Sequence, residues 1–201
     1  QPMPLLPRKA VVVAAADHGV ARGGVSAYPS EVTAAMVQNF LVGGAAINVM
    51  ARAQGATVTI VDAGVATEIV PPPKMSRLRF QSRRVGPGTQ DMTTSAAMSG
   101  VQARACVAHG IGVVEELREA GLDLVATGDM GIGNTTAAAA ITAVRAEADA
   151  AEVTGRGTGV DHAGLERKTA AVKAAIARNQ PDASDGIDVL RCVGGFEIGV
   201  L

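Results

Sequence analysis

The chain has 201 residues, 48% of them hydrophobic but only 2% aromatic, with 24 glycines, no tryptophan and a formal net charge of -1. Its length fits a single domain. With no long basic run, the charge argues against a phosphate-tracking nucleic-acid surface. No continuous apolar run reaches the roughly 18 residues that a membrane-spanning helix needs, so no membrane partner is expected.

The opening "QPMPLLPRK" reads as a linker entering a strand, and the natural chain is expected to begin earlier. Residues 10–16, "AVVVAAA", form the first of three Val-rich or β-branched runs of the kind found in buried parallel strands. A long helical pattern follows over 30–55, with Ser30 as N-cap and Gly55 as C-cap, and with Gly43-Gly44 placed to break it in two. The second strand run is 56–61, "ATVTIV". Residues 66–94 hold three consecutive prolines, the basic cluster "RLRFQSRR" and "GPGTQDM". They read as a surface excursion with one strand pair, and the basic residues as a solvated loop or strand edge. Helical patterns resume at 95–121, the third strand run is 122–127, and helices are expected at 134–148, at 162–180 up to Pro181, and from near Ser184. Alternating strands and helices predict an α/β fold: a mainly parallel, Rossmann-like sheet with helices on both faces, a three-layer α/β/α sandwich.

Each strand run is followed by an acid: Asp17, Asp62 and Asp129. Ligands of doubly wound sheets bind outside the carboxyl ends of the strands, so the three carboxylates are expected on one rim. Asp62 reads as a turn cap, while Asp17, beside His18, and Asp129 are the functional candidates. In "GDMGIGNTT", Gly131 and Gly133 permit close backbone approach, and Asn134, Thr135 and Thr136 stand where a helix begins. Free N–H groups and the positive end of a helix dipole make such a segment an anion site. A second Gly-rich turn, "GRGTGV", precedes the helix carrying Lys168, whose ammonium either reaches a phosphate or is an ordinary surface charge. Neither turn fits a dinucleotide fingerprint or a P-loop, which weighs against a dehydrogenase or an NTPase. Tyr28, the only tyrosine, and Met36 either wall an apolar pocket or simply pack. Cys106 and Cys192 share no metal-ligand spacing with His18, His109 or His162. They are expected reduced, in helices, as in the cytoplasm, with His109 and His162 on helix surfaces.

Taken together, "AADHGV", "GVSAYPSEVTAAMVQNFLVGGAAINVMARAQGA", "GTQDMTTSAAMS", "GDMGIGNTTAAAA", "GRGTGVD", "RKTAAVKAAIARNQPD" and "DVLRCVGGFEI" resemble the nicotinate-nucleotide–dimethylbenzimidazole phosphoribosyltransferase (CobT) family, from about Lys9 to Leu201. The resemblance implies a homodimeric α/β/α enzyme of cobalamin lower-ligand assembly, with no cofactor and no metal. It implies transfer of the phosphoribosyl group of nicotinate mononucleotide to 5,6-dimethylbenzimidazole, yielding α-ribazole 5′-phosphate and nicotinate. By the same likeness Gly128 to Thr136 touch the nucleotide and base, with Asp129 in place of the family's glutamate and the remaining catalytic candidate. Gly157, Thr158, Gly159 and Lys168 match phosphate-holding segments, and Tyr28, Pro29 and Met36 match the lining of the benzimidazole pocket. The family's "P-x-GSLG-x-LE" and "RLGEG" segments, the latter with the glutamate expected as general base, are absent; Glu197 does not match that glutamate. Residues 1–201 are therefore expected to form a single domain incomplete at both ends, its alternative being a non-catalytic nucleotide- or base-binding module.

Overall fold

The computed structural model describes residues 6–75 and 77–201; the first five residues of the expected linker, and Ser76 in the irregular excursion, lie outside them. Four strands form one parallel sheet in the order β3-β2-β1-β4. They are β1 (Lys9–Ala16), β2 (Thr57–Gly64), β3 (Leu78–Ser82) and β4 (Leu124–Met130).

The pleat of β1 sorts its side chains strictly. Val12, Ala14 and Ala16 join a core with α3 (Gly100–Glu119), Leu190 of α7 (Gly186–Val193) and α8 (Phe196–Val200). Val13 and Ala15 join the opposite core, made with α1 (Val32–Leu41) and α2 (Ala46–Ala53). Residues i and i+2 of a strand share a face, so a run apolar at every position is what a centre strand covered on both sides requires. The expected α/β/α sandwich is the result. A third core joins α4 (Asn134–Arg145), α6 (His162–Asn179) and α7, with short α5 (Ala150–Val153), beside the sheet.

Several elements differ from expectation. The helix start at α1 lacks a Ser30 side-chain cap; Glu31 holds the N-cap position without one. Residues 32–53 are apolar enough in composition to cross a membrane. They fold instead as helices of 10 and 8 residues, about 15 and 12 Å long against a hydrocarbon core of roughly 30 Å. Among the described residues the excursion at 66–94 contributes one parallel edge strand, β3, and no strand pair. β4 is the other edge, largely exposed, and it begins two residues later than the apolar run suggested. Asp62 and Asp129 accordingly lie within strands, and only Asp17 follows one.

The chain runs from β1 to β2 and β3 on one side, then returns through α3 to β4 on the other. The strand order therefore reverses between β1 and β4, and the crevice outside their carboxyl ends is where such a fold binds ligands. Register slips near this end: Ala15 faces Asp62 but Ala16 faces Gly64, a bulge that sets the direction of Asp17. Phe196 packs directly against the Cα of Gly64, where a methyl group would come within 2.5 Å of its ring. Phe196→Ala would empty this 1% exposed position. We expect a loss of about 3 to 5 kcal/mol in urea unfolding.

Candidate functional site

The turn after β4 meets the residue after β1. Gly131 lies under the carbonyl of Ala16 and the ring of His18, at 2.6 and 3.1 Å from where its Cβ would stand. Gly133 adopts φ 96° as the N-cap of α4, pressed against His18 Cβ and Ala21. Only glycine fits both demands, close approach and left-handed backbone. From the other side Thr33 Oγ1 accepts the N–H of Ile132 at 3.0 Å. This turn is thus clamped between β1 and α1, and it fixes the direction in which α4 begins.

A continuous polar chain runs from there. Asn134 donates through Nδ2 to Asp129 Oδ2, and its Oδ1 accepts the Thr135 N–H at 2.7 Å. Lys168 Nζ donates to Thr135 Oγ1 at 2.7 Å. Gly157, at φ 54°, lies so close that a methyl group on it would fall 2.8 Å from Thr135 Oγ1 and 2.9 Å from Lys168 Nζ. Thr158 Oγ1 is 3.5 Å from Ser26 Oγ, which also accepts the Tyr28 N–H at 3.2 Å. Two Gly-rich turns far apart in sequence therefore converge on one ammonium.

Lys168 is 1% exposed. Among the described residues it makes no ion pair, in contrast to seven other acid–base pairs. The reading of Lys168 as an ordinary surface lysine is thereby excluded. Burial pushes its pKa below the ordinary 10.5, the direction expected for a desolvated cation. A buried charge without a counter-ion is unfavourable unless something negative completes it. Here the amide groups at the start of α4 add their own positive end. A positive seat of this kind is chemically suited to an anion.

The sequence-derived residues divide accordingly. Asp129, Asn134, Thr135, Gly157 and Lys168 meet directly, and Thr158 connects to Tyr28 through Ser26. Gly159 shares the Gly157 turn. Tyr28 is 52% exposed, and Pro29 beside it is exposed. Met36 is half-buried and packs on the α1–α2 core, together with Met130. Thr136 is wholly buried, its Oγ1 without a partner. Asp62 caps the turn after its strand, as expected: its Oδ1 accepts the Val65 N–H, and its Oδ2 pairs with Arg84. His109 is half-buried, with Nδ1 against the Arg83 carbonyl, and His162 is exposed. Both cysteines are free and buried in helices, and burial pushes the Cys106 thiol up to about 12.

A cleft of about 270 Å³ opens at the carboxyl ends of β1 and β2, lined by Asp17, His18, Arg22, Glu31 and Thr89 among others. Tyr28, Pro29 and Met36 do not line it; their neighbours Ser30, Glu31 and Ala34 do. A larger cleft, about 670 Å³, carries Arg52, Lys74 and Arg77, but it lies at the opposite, amino end of the strands. Residue-by-residue reading missed Glu197. It is fully buried, with Oε1 2.6 Å from His18 Nε2. The pair of glycines before it in "GGFE" was the available signal.

A phosphoribosyltransferase family, DBI_PRT, matches residues 1–201. The chain belongs to this family. Among its relatives is the "Nicotinate-nucleotide--dimethylbenzimidazole phosphoribosyltransferase" of Roseiflexus sp. (strain RS-1), 55% identical over 98% of this chain and 55% of the relative. The protein of the same name from Salinispora tropica is 50% identical over 100% of this chain and 57% of the relative. The crystal structure of CobT from Thermus thermophilus superposes with a TM-score of 0.88 at 46% identity, covering 98% of this chain and 57% of that one. The chain thus spans a little over half the length of these family members.

Below its lowered pKa Lys168 is charged in the fold at a desolvation cost. That cost is relieved as pH rises through the window between that pKa and 10.5, where the unfolded chain binds the extra proton. We expect Lys168→Met to melt no lower than the parent at neutral pH and to lose binding of inorganic phosphate in calorimetric titration. A marked drop in melting temperature with phosphate binding retained would make Lys168 a structural residue.

Proposed function

We propose that this chain carries the substrate-binding core of a nicotinate-nucleotide–dimethylbenzimidazole phosphoribosyltransferase, acting in cobalamin lower-ligand assembly. The observation that carries the reading is the buried, unpaired ammonium of Lys168 at the start of α4, between Thr135 and the Gly157 turn. It suits the dianionic 5′-phosphate of a mononucleotide. The names of the relatives supply the substrates.

In the proposed reaction an azole nitrogen of 5,6-dimethylbenzimidazole attacks C1′ of nicotinate mononucleotide from the face opposite the nicotinate. The new C–N bond forms as the old one breaks, the configuration inverts to α, and the N–H proton of the azolium passes to a carboxylate or to water. Nicotinate leaves as a pyridine whose nitrogen recovers the bonding pair, so the departure needs no proton. The chain's part is to hold the phosphate and fix the ribose relative to the base, which lowers the entropic barrier. Asp129, exposed on the rim beside Asn134, offers negative charge where positive charge builds on C1′ and on the attacking azole. Tyr28, Pro29 and Met36 remain the residues proposed for the flat base. Their apolar surfaces and the proximity of Tyr28 to Thr158 support that assignment.

A homodimer is part of the same proposal, supported by apolar side chains left exposed on α3, notably Val101 and Ile111. A cytoplasmic location is proposed from the two unbridged cysteines. The deciding experiment follows nicotinate release and α-ribazole phosphate formation by chromatography, using the full-length protein. Asp129→Asn is expected to lower kcat about 10- to 100-fold with a smaller change in KM, as loss of a charge felt in the transition state does. Tight nucleotide binding with no product from the full-length protein would favour a non-catalytic binding module instead.

A further inference from the structure

His18 follows β1 by two residues, and Glu197 lies in the first turn of α8, 179 positions further on. Their side chains meet inside the protein at 1% and 0% exposure, Nε2 and Oε1 2.6 Å apart. The walls around the ring are backbone. A methyl group on Gly131 would stand 3.1 Å from His18 Cδ2, and one on Gly133 would stand 3.2 Å from its Cβ. One on Gly195 would fall 2.4 Å from its Cε1 and within 3 Å of both Glu197 oxygens. The imidazole is therefore a floor against which the turn opening α4 rests. Glu197, on the helix that packs against α3 and β1, holds that floor in place.

A charged pair is an expensive filler for an interior. Apolar side chains of the same volume are often as stable or more so. Here the surroundings are more polar still: Asp17 Oδ1 and Glu197 Oε2 are both buried without hydrogen-bond partners. Burial alone lowers the His18 pKa, but the opposed charges of Glu197, then Asp17 and Asp129, outweigh it and raise it overall. The acids that face the ring are Glu197 of α8, Asp17 at the end of β1 and Asp129 of β4. Packing alone does not call for such an arrangement at the one place where α4 is aimed.

We propose that the His18–Glu197 pair is the positioning element of the anion seat: by filling the space beneath Gly131 and Gly133 it sets the direction of the first amides of α4 and the height of Thr135 against Lys168. The inference rests on reading the Lys168 seat as the phosphate site. His18 and Glu197 act through the turn, with no contact to substrate. Glu197→Gln keeps the volume and removes the charge; His18→Gln removes the flat ring.

The test titrates sulfate, whose charge is constant across neutral pH, into the parent protein, Lys168→Met, Glu197→Gln, His18→Gln and the double His18→Gln/Glu197→Gln variant, with folding checked by circular dichroism. Each folded pair variant is expected to bind sulfate about tenfold more weakly, and the double no more weakly than the weaker single, as coupled residues behave. A merely structural role would lower the melting temperature and leave the affinity of the folded protein unchanged. Sulfate binding by Lys168→Met equal to the parent's overturns the phosphate-site reading itself. Loss in Lys168→Met, with pair variants within twofold of the parent, overturns only the positioning role. Should the pair variants not fold, sulfate is titrated into the parent and the His18 ring signals are followed by NMR. They are expected to shift with the same midpoint as the Thr135 amide. A ring signal that stays still at saturation overturns the proposal.

Discussion

An ammonium held inside a protein without a carboxylate is an unfinished interaction, and the arrangement around Lys168 follows from that. The lysine comes from α6, the hydroxyl it bonds from the first turn of α4, and the glycine that makes room from the loop before α6. None of the three produces a site alone. Their convergence depends on α4 leaving β4 at one angle, and that angle depends on glycine meeting histidine where the strand order reverses. Sheet topology, turn chemistry and electrostatics thus act on one point, the crevice between β1 and β4.

Much of this was legible in the order of residue types. The unbroken run of valine and alanine along β1 announced a strand covered on both faces, and Gly43-Gly44 announced the break between α1 and α2. Asp62 was readable as a turn cap because its side chain needs only a local partner, the N–H three residues on. The glycines of "GDMGIGNTT" and "GRGTGV" marked the two turns that converge near Lys168, since a missing Cβ leaves a mark in the sequence wherever backbones must approach.

What stayed hidden depended on distance. Nothing near Lys168 tells that its helix turns it inward; a lysine in "ERKTAAV" reads equally well as a solvated charge. Glu197 was set aside because it does not match the family's general-base glutamate; its pairing with His18, 179 positions away, stayed hidden because ion pairs between remote segments have no periodicity to betray them. The basic cluster was readable as a loop or strand edge, but not that β3 would pair in parallel with β2, because an edge strand half covered by basic side chains lacks the apolar run of its neighbours. The late start of β4 has the same origin: an exposed edge strand is shaped by backbone pairing to β1 more than by its own hydrophobicity.

The two rims of the sheet are defended unequally. β3 and its flanks carry Arg77, Arg79, Arg83 and Arg84, the last two paired with Glu116 and Asp62, and a basic edge is a common means of refusing a further strand. Along β4, from Leu124 to Met130, the only charge is Asp129, and the other residues are small or apolar save Thr127. A further strand is therefore disfavoured beside β3 and more readily accommodated beside β4. A β-prone segment, from further along a longer chain or from another molecule, thus meets repulsion at one rim and, at the other, an open ladder of donors and acceptors within reach of the crevice.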